Sequence, residues 1–284
     1  MTIELDLSSQ GLISIAENTI WDSNLEILNL YNNELASIPE SVWELKNLQT
    51  LILAENQFST LSEGIGNLTN LQMADLGHNK YESIPEAIGN LRSLKTLYLS
   101  NNRLTSLPKT LFDLSSLIYL NATDNQLRTI ADEIGKLTGL IELRLYNNQL
   151  TALPESIGNL KRLKELHLMK NQLTSLPESI GNLISLRKLD LEGNQLSALP
   201  ESIVSLENLT ELNLRNNKLA GLPETLGKMR KLRFLDLRGN KLTSLPASIA
   251  EMPFLEKLDL RWNKISPLPK WLSNLEDQDC IVYT

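Results

Sequence analysis

The sequence is poor in cysteine, in long hydrophobic runs and in flexible linkers. Its 284 residues include one cysteine, Cys280, which excludes a framework of intramolecular disulfides. No stretch reaches the roughly 18 apolar residues of a membrane span, and no Gly/Ser-rich or Pro-rich linker interrupts the chain. A strand-like pattern begins by Ile3, so we expect no targeting segment before it. These absences predict a soluble chain folded as a single domain, residues 1–284.

The chain also lacks an excess of positive charge. Its net charge of −7 favours solubility and argues against a general affinity for nucleic acid or anionic membranes. The one locally basic stretch, residues 227–241, divides its lysines and arginines between two faces and forms no single patch. We therefore expect no nucleic-acid partner and no membrane insertion.

What the sequence does have is asparagine every 23 residues, without insertion or deletion. The eleven positions are Asn33, Asn56, Asn79, Asn102, Asn125, Asn148, Asn171, Asn194, Asn217, Asn240 and Asn263. The unit reads L-x-x-L-x-L-x-x-N-x-L-x-x-L-P-x-x-I-x-x-L-x-x. Eleven such units fill residues 25–277, after a divergent N-terminal capping repeat at 1–24 and before a C-terminal capping strand at 278–284.

Each unit predicts a short strand followed by a return segment. In "LKELHLMKN", Leu166 and Leu168 alternate with Glu165, His167 and Met169, and this period of two is typical of a strand with one buried face. Strands that recur every 23 residues in one direction predict a parallel sheet, with the return segments crossing behind it. Because one repeat cannot bury its leucines alone, neighbouring repeats must share a continuous apolar column.

The turn that ends each strand explains why asparagine recurs at this position. An unpaired backbone group inside the stack costs about 1–3 kcal/mol, and a side-chain amide offers both donors and acceptors. We therefore predict that each amide bonds its own turn and that of the neighbouring repeat, forming a ladder. Proline follows in nine of the eleven units, which predicts the first position of a helix. A glycine four residues later predicts that the helix is short, of one or two turns in α or 3-10 form.

The unit resembles the leucine-rich repeat, in the 23-residue form LPxxIxxLxxLxxLxLxxNxL of Ras-associated scaffolds, plant intracellular proteins and many bacterial proteins. The resemblance implies an α/β solenoid, a leucine-rich repeat horseshoe with a concave parallel β-sheet and short helical or 3-10 segments on its convex side. It also implies a protein partner on the concave sheet, no enzymatic activity and no cofactor. The cysteine-rich caps of many extracellular members are absent, which favours a cytoplasmic setting; secretion stays an alternative, because secreted bacterial members also lack them.

The outward strand positions supply the candidate contact residues, in two zones. In the first, apolar and aromatic side chains stand where solvent is expected, which is typical of interfaces but also of tyrosines that simply suit a β surface. In the second, arginines line the sheet beside Asp236 and Asp259, either paired with them or forming a charged recognition zone. The candidates are Ile27, Tyr31, Ile52, Met73, Tyr98, Tyr119, Tyr146, His167, Met169, Arg215, Arg238, Arg261 and Trp262.

Other chemistry is weakly represented. His78 and His167 are far apart in sequence and lack a nearby ligand cluster, so we expect no metal site. Cys280 is expected to face outward as an unremarkable thiol, and Ile281 and Tyr283 to take the leucine positions of a thirteenth strand.

The sequence therefore predicts a non-catalytic, monomeric protein-binding module or scaffold whose partner it does not identify. The alternatives are a secreted bacterial effector or surface protein that engages host molecules, the substrate-recognition part of a larger enzyme, and a site for a small ligand, peptide or glycan.

Overall fold

The structure is a computed structural model that describes residues 2–284, so Met1, the first residue of the predicted N-terminal cap, lies outside it. Two compact units divide the chain, Met1–Leu140 and Ile141–Thr284. The prediction of a single domain with capping segments stays a prediction.

The first unit contains six three-residue strands that pair in parallel. They are β1 (Glu4–Asp6), β2 (Ile27–Asn29), β3 (Thr50–Ile52), β4 (Met73–Asp75), β5 (Thr96–Tyr98) and β6 (Tyr119–Asn121). The return segments are 3-10 helices at Glu40–Glu44, Glu63–Asn67, Glu86–Asn90, Lys109–Asp113 and Asp132–Lys136.

The second unit repeats this arrangement and adds one α-helix before its last strand. Its strands are β7 (Glu142–Arg144), β8 (Glu165–His167), β9 (Lys188–Asp190), β10 (Glu211–Asn213), β11 (Phe234–Asp236), β12 (Lys257–Asp259) and β13 (Ile281–Tyr283). Its 3-10 segments are Glu155–Asn159, Glu178–Asn182, Glu201–Ser205, Leu226–Lys228 and Ala247–Glu251, and the helix α1 spans Leu272–Glu276. The strands again pair in parallel and in chain order.

The core of each unit is the predicted column of leucines. Leu166 and Leu168 of the β8 repeat, and Leu173 and Ile180 of its return segment, are fully buried. The strands show the predicted alternation, with a buried central residue between two partly exposed ones in most of them. Strand and return segment therefore bury one shared apolar interior, as the repeat pattern predicts.

The asparagine ladder is confirmed. The Nδ2 atom of Asn102 donates to Leu99 O at 3.1 Å in its own turn and to Leu76 O at 3.0 Å in the preceding repeat, while its Oδ1 accepts from Tyr81 N at 3.0 Å. Asn171 repeats this pattern with Leu168 O, Leu145 O and Leu150 N. Each amide thus satisfies backbone groups of two successive repeats.

The residue before each ladder asparagine has a left-handed backbone, with φ between 51° and 70°. Asn101, Asp124 and Gly193 are of the types that tolerate this region, whereas Trp262 is bulky and would rarely adopt it. The turn geometry therefore restricts this position, and Trp262 stands out there.

Three sequence predictions need correction. Pro177 does not occupy the first helical position: it is extended (φ −69°, ψ 152°) and precedes the 3-10 segment, and its carbonyl accepts from Ile180 N. In β13, Val282 pairs with Leu258, so Ile281 and Tyr283 face outward, because the α1 connection makes this spacing one residue longer than 23. Cys280 is buried rather than outward, and its burial raises the pKa of the thiol to about 11.

Candidate functional site

The outward face of the first unit carries a pair of tyrosines. Tyr98 ends β5 and Tyr119 begins β6, and their half-buried rings lie 5.1 Å apart at a tilt of 48°. Edge-tilted rings at this separation attract one another beyond the area that they bury. The pair therefore presents a preorganised aromatic surface on the strand face.

The remaining first-unit candidates lie on the same face. Ile27, Ile52 and Met73 are half-buried on β2, β3 and β4, and Tyr31 is exposed just beyond β2. The Tyr31 hydroxyl bonds to the Glu55 carboxylate, and this raises the pKa of the phenol. The structure places these residues along the strand face, and their role in binding stays a prediction.

In the second unit, the predicted line of arginines is paired with carboxylates. Arg238 Nε lies 2.9 Å from Asp236 Oδ1 and 3.3 Å from Asp259 Oδ2, and Arg261 Nη2 lies 2.7 Å from Asp259 Oδ2. Arg215 Nη1 is 3.5 Å from Glu192 Oε1. Of the two interpretations of these charges, the geometry favours mutual pairing.

Asp259 is the buried centre of this network. Its side chain is fully buried, which alone would raise the pKa of the carboxyl group, but hydrogen bonds from Arg261 and the charge of Arg238 outweigh burial and lower it. A carboxylate held between two guanidinium groups stays ionised and fixes both arginines on the sheet. Arg238 and Arg261 are thus oriented before any partner arrives.

Beside this network lies an exposed aromatic group. Trp262 is 64% exposed, and the Arg215 and Arg261 guanidinium carbons lie 5.9 and 5.7 Å from its ring centroid. Tyr283 lies on β13, and the Arg261 guanidinium carbon is 4.8 Å from the centroid of its ring. A cation at this distance is attracted to the ring face. A large exposed ring in a turn position that disfavours bulky residues is a feature that the fold itself does not need.

Tyr146 and Met169 are half-buried on the face of the second unit, whereas His167 is 8% exposed and offers a partner only its edge. The prediction that His167 lacks a nearby ligand cluster is corrected by the structure: its Nε2 lies 3.0 Å from Glu165 Oε2 and 3.9 Å from Glu142 Oε1. The strand register makes neighbours of residues about 23 positions apart. Separation along the chain therefore does not show which side chains could share a ligand.

Sequence reasoning passed over Phe234 and Tyr283 as contact candidates. Phe234 is 37% exposed and lines a shallow depression of about 270 Å³ on β9 to β12, together with Lys188, Asp190 and Lys257. Burial raises the pKa of Asp190 in this depression. Phe234 could have been found from its outward column, but Tyr283 could not, because the longer last spacing hid its orientation.

Within residues 2–284, no helix is both long and apolar enough to cross a membrane.

Comparisons with known proteins agree with the repeat architecture. A family model described as leucine-rich repeat region matches residues 75–169 and 148–232, and a second, leucine rich repeat, matches 23–80 and 207–265. A search of curated proteins gave no match.

Solved structures of similar fold come from bacteria and plants. A leucine-rich repeat protein of Leptospira interrogans is 39% identical with a TM-score of 0.92, over 99% of this chain and 72% of that one. An internalin of Listeria monocytogenes is 25% identical with a TM-score of 0.74, over 99% and 86%. The plant peptide hormone receptor RGFR1, solved with RGF2, is 30% identical with a TM-score of 0.72, over 99% of this chain and 55% of the receptor.

Fold and ladder define a leucine-rich repeat solenoid. The chain belongs to the leucine-rich repeat family, and the predicted fold class is confirmed.

Proposed function

We propose that this protein is a non-catalytic binding module that holds another protein on its strand face, with Tyr98 and Tyr119 as anchors in the first unit. The observation that carries the proposal is the half-buried tyrosine pair, whose rings are 5.1 Å apart on a face with no packing need for aromatic groups. Six strands about 4.8 Å apart extend this face over roughly 24 Å. The receptor RGFR1, solved in complex with RGF2, supports a binding role for the fold.

The second unit supplies the polar contacts in this proposal. Arg238 and Arg261 are already fixed by Asp259, so binding through them immobilises few additional side chains. Trp262 adds an exposed ring of the type enriched among interface hot spots. The partner is therefore a protein that presents apolar surface to the tyrosines or acidic groups to the arginines.

The test compares Tyr98→Ala/Tyr119→Ala with the wild type. Affinity capture from the native organism identifies the retained proteins, and calorimetry then measures the affinity for the partner. We expect the double variant to lose about 30-fold or more in affinity, since one hot-spot truncation costs about 2 kcal/mol.

Ile118→Ala is the matched control, because Ile118 is 41% exposed and directly precedes Tyr119 but lies outside β6. It should bind as the wild type does. Equal affinity of the wild type and the double tyrosine variant would refute the anchor assignment.

A further inference from the structure

His167 lies between two glutamates on the strand face of the second unit. Its Nε2 is 3.0 Å from Glu165 Oε2 and 3.9 Å from Glu142 Oε1, and the three ligand-type atoms all lie within 4.8 Å of one another. Glu142 comes from β7, and Glu165 and His167 come from β8, so paired strands hold the group together. The imidazole is 8% exposed, and its surroundings restrict its orientation.

The charges of this group are not what sheet stability would select. Glu142 is directly opposite Glu165 in the parallel register, and like charges at such positions destabilise a sheet. On its other side Glu165 lies opposite Lys188 of β9, but the Lys188 amine forms its ion pair with Glu211 of β10, at 3.3 Å. Arg144 offsets one carboxylate, with Nε 2.5 Å from Glu142 Oε1. The carboxylate of Glu165 contacts the imidazole of His167 at 3.0 Å.

We propose that Glu142, Glu165 and His167 bind a divalent zinc-type ion. Two carboxylate oxygens and one imidazole nitrogen are ligands that zinc accepts, at about 2.0–2.2 Å. A small inward movement of the glutamates brings all three atoms to a common centre, and the ion neutralises the opposed carboxylates. Magnesium and calcium fit less well, because they prefer oxygen ligands alone.

Binding displaces the competing cation at this site. The Arg144 side chain is 38% exposed, so the ion competes for Glu142 with a partly solvated cation. Three protein ligands leave a fourth tetrahedral position open for water or for a side chain of another molecule. The proposed ion site lies on the strand face of the second unit and does not include Tyr98 or Tyr119.

The repeat offers a matched pair of variants, His167→Asn and His78→Asn. Asparagine already occupies the position of His167 in two other repeats, at Asn121 and Asn213. It also occupies the turn position of His78 in the next repeat, at Asn101, with a similar left-handed backbone. Neither change therefore removes a residue that the fold needs. Glu165→Gln is a third variant, which keeps the side-chain shape and removes a ligand charge.

The experiment titrates the chelator-treated full chain with zinc chloride by calorimetry, followed by cobalt(II) absorption to report coordination geometry. We expect one zinc ion per chain, at least about tenfold weaker binding in His167→Asn and Glu165→Gln, and unchanged binding in His78→Asn. Wild-type affinity in either His167→Asn or Glu165→Gln, or no zinc binding by the wild type at micromolar concentrations, would overturn the proposal. These outcomes do not depend on whether Tyr98 and Tyr119 bind a protein.

Discussion

At the residue scale, the side-chain amide explains why asparagine recurs with a period of 23. Asn102 is buried and makes four hydrogen bonds, three through Nδ2 and one through Oδ1. Aspartate would lack the donors and serine the reach, so the geometry of the turn leaves asparagine as the fitting residue. The ladder is therefore a set of separate side-chain to backbone hydrogen-bond networks, one in each repeat.

Replacing Asn102 by alanine should destabilise the protein by about 1–3 kcal/mol, because the amide of Tyr81 loses its partner inside the stack. The carbonyls of Leu76 and Leu99 each lose one of two asparagine donors. Chemical denaturation followed by circular dichroism measures the change. The control is Asn101→Gly, since glycine already occupies this left-handed position at Gly193 and Gly239. The ladder explanation fails if the two variants are equally stable.

Single residues also show what sequence could and could not predict. The ladder was predictable, because donors and acceptors of one amide are matched to a turn only a few residues long. The cluster at His167 was not, because it depends on which side chains meet across β7 and β8. The pairing of Asp259 with two arginines was foreseen as one of two alternatives, but its complete burial was not.

At the element scale, the glycine of "PESIGN" marks a short 3-10 segment, as predicted, and also has a packing function. Gly181 lies within the 3-10 segment Glu178–Asn182 rather than at its end. A Cβ atom on Gly181 would stand 2.3 Å from Ser202 O in the next return segment. The sequence predicted only that the segment is short, because close approach between neighbouring repeats cannot be read from one repeat. The glycine therefore permits adjacent segments to pack at short distance.

We expect Gly181→Ala to destabilise the second unit by about 1–3 kcal/mol, because the added methyl group forces the neighbouring backbone to move. Thermal unfolding of the purified variant measures this. Gly221→Ala is the control: no atom lies within 4 Å of its added Cβ, and its φ is not positive. It should be neutral or stabilising by about 0.4–1 kcal/mol. A loss of stability at Gly221 equal to that at Gly181 would contradict the packing explanation.

At the scale of the whole molecule, the period predicted the number and direction of the regular strands, because each repeat must bury its leucines in the same way. The thirteenth strand was predicted with the wrong residues facing inward, because the register of β13 depends on the extra residue and the α1 helix. Nor does the period identify a partner, since the recurring leucines and asparagines are required for folding rather than for binding. The outward columns, which are free of those folding requirements, are where residues such as Tyr98 and His167 differ from repeat to repeat.

A chain in which each repeat contacts only its neighbours should respond locally to damage. Asn217 bonds Leu191 O, Leu214 O and Leu196 N, so Asn217→Ala should raise amide hydrogen exchange in residues 191–219. In the same unit, the amide of Leu150 is bonded to Asn171 and should keep its protection, because no bond of Asn217 reaches that repeat. Exchange measured by mass spectrometry on peptides from both regions distinguishes the two. If protection fell equally in both, the unit would unfold as one cooperative body and the nearest-neighbour account of its stability would be wrong.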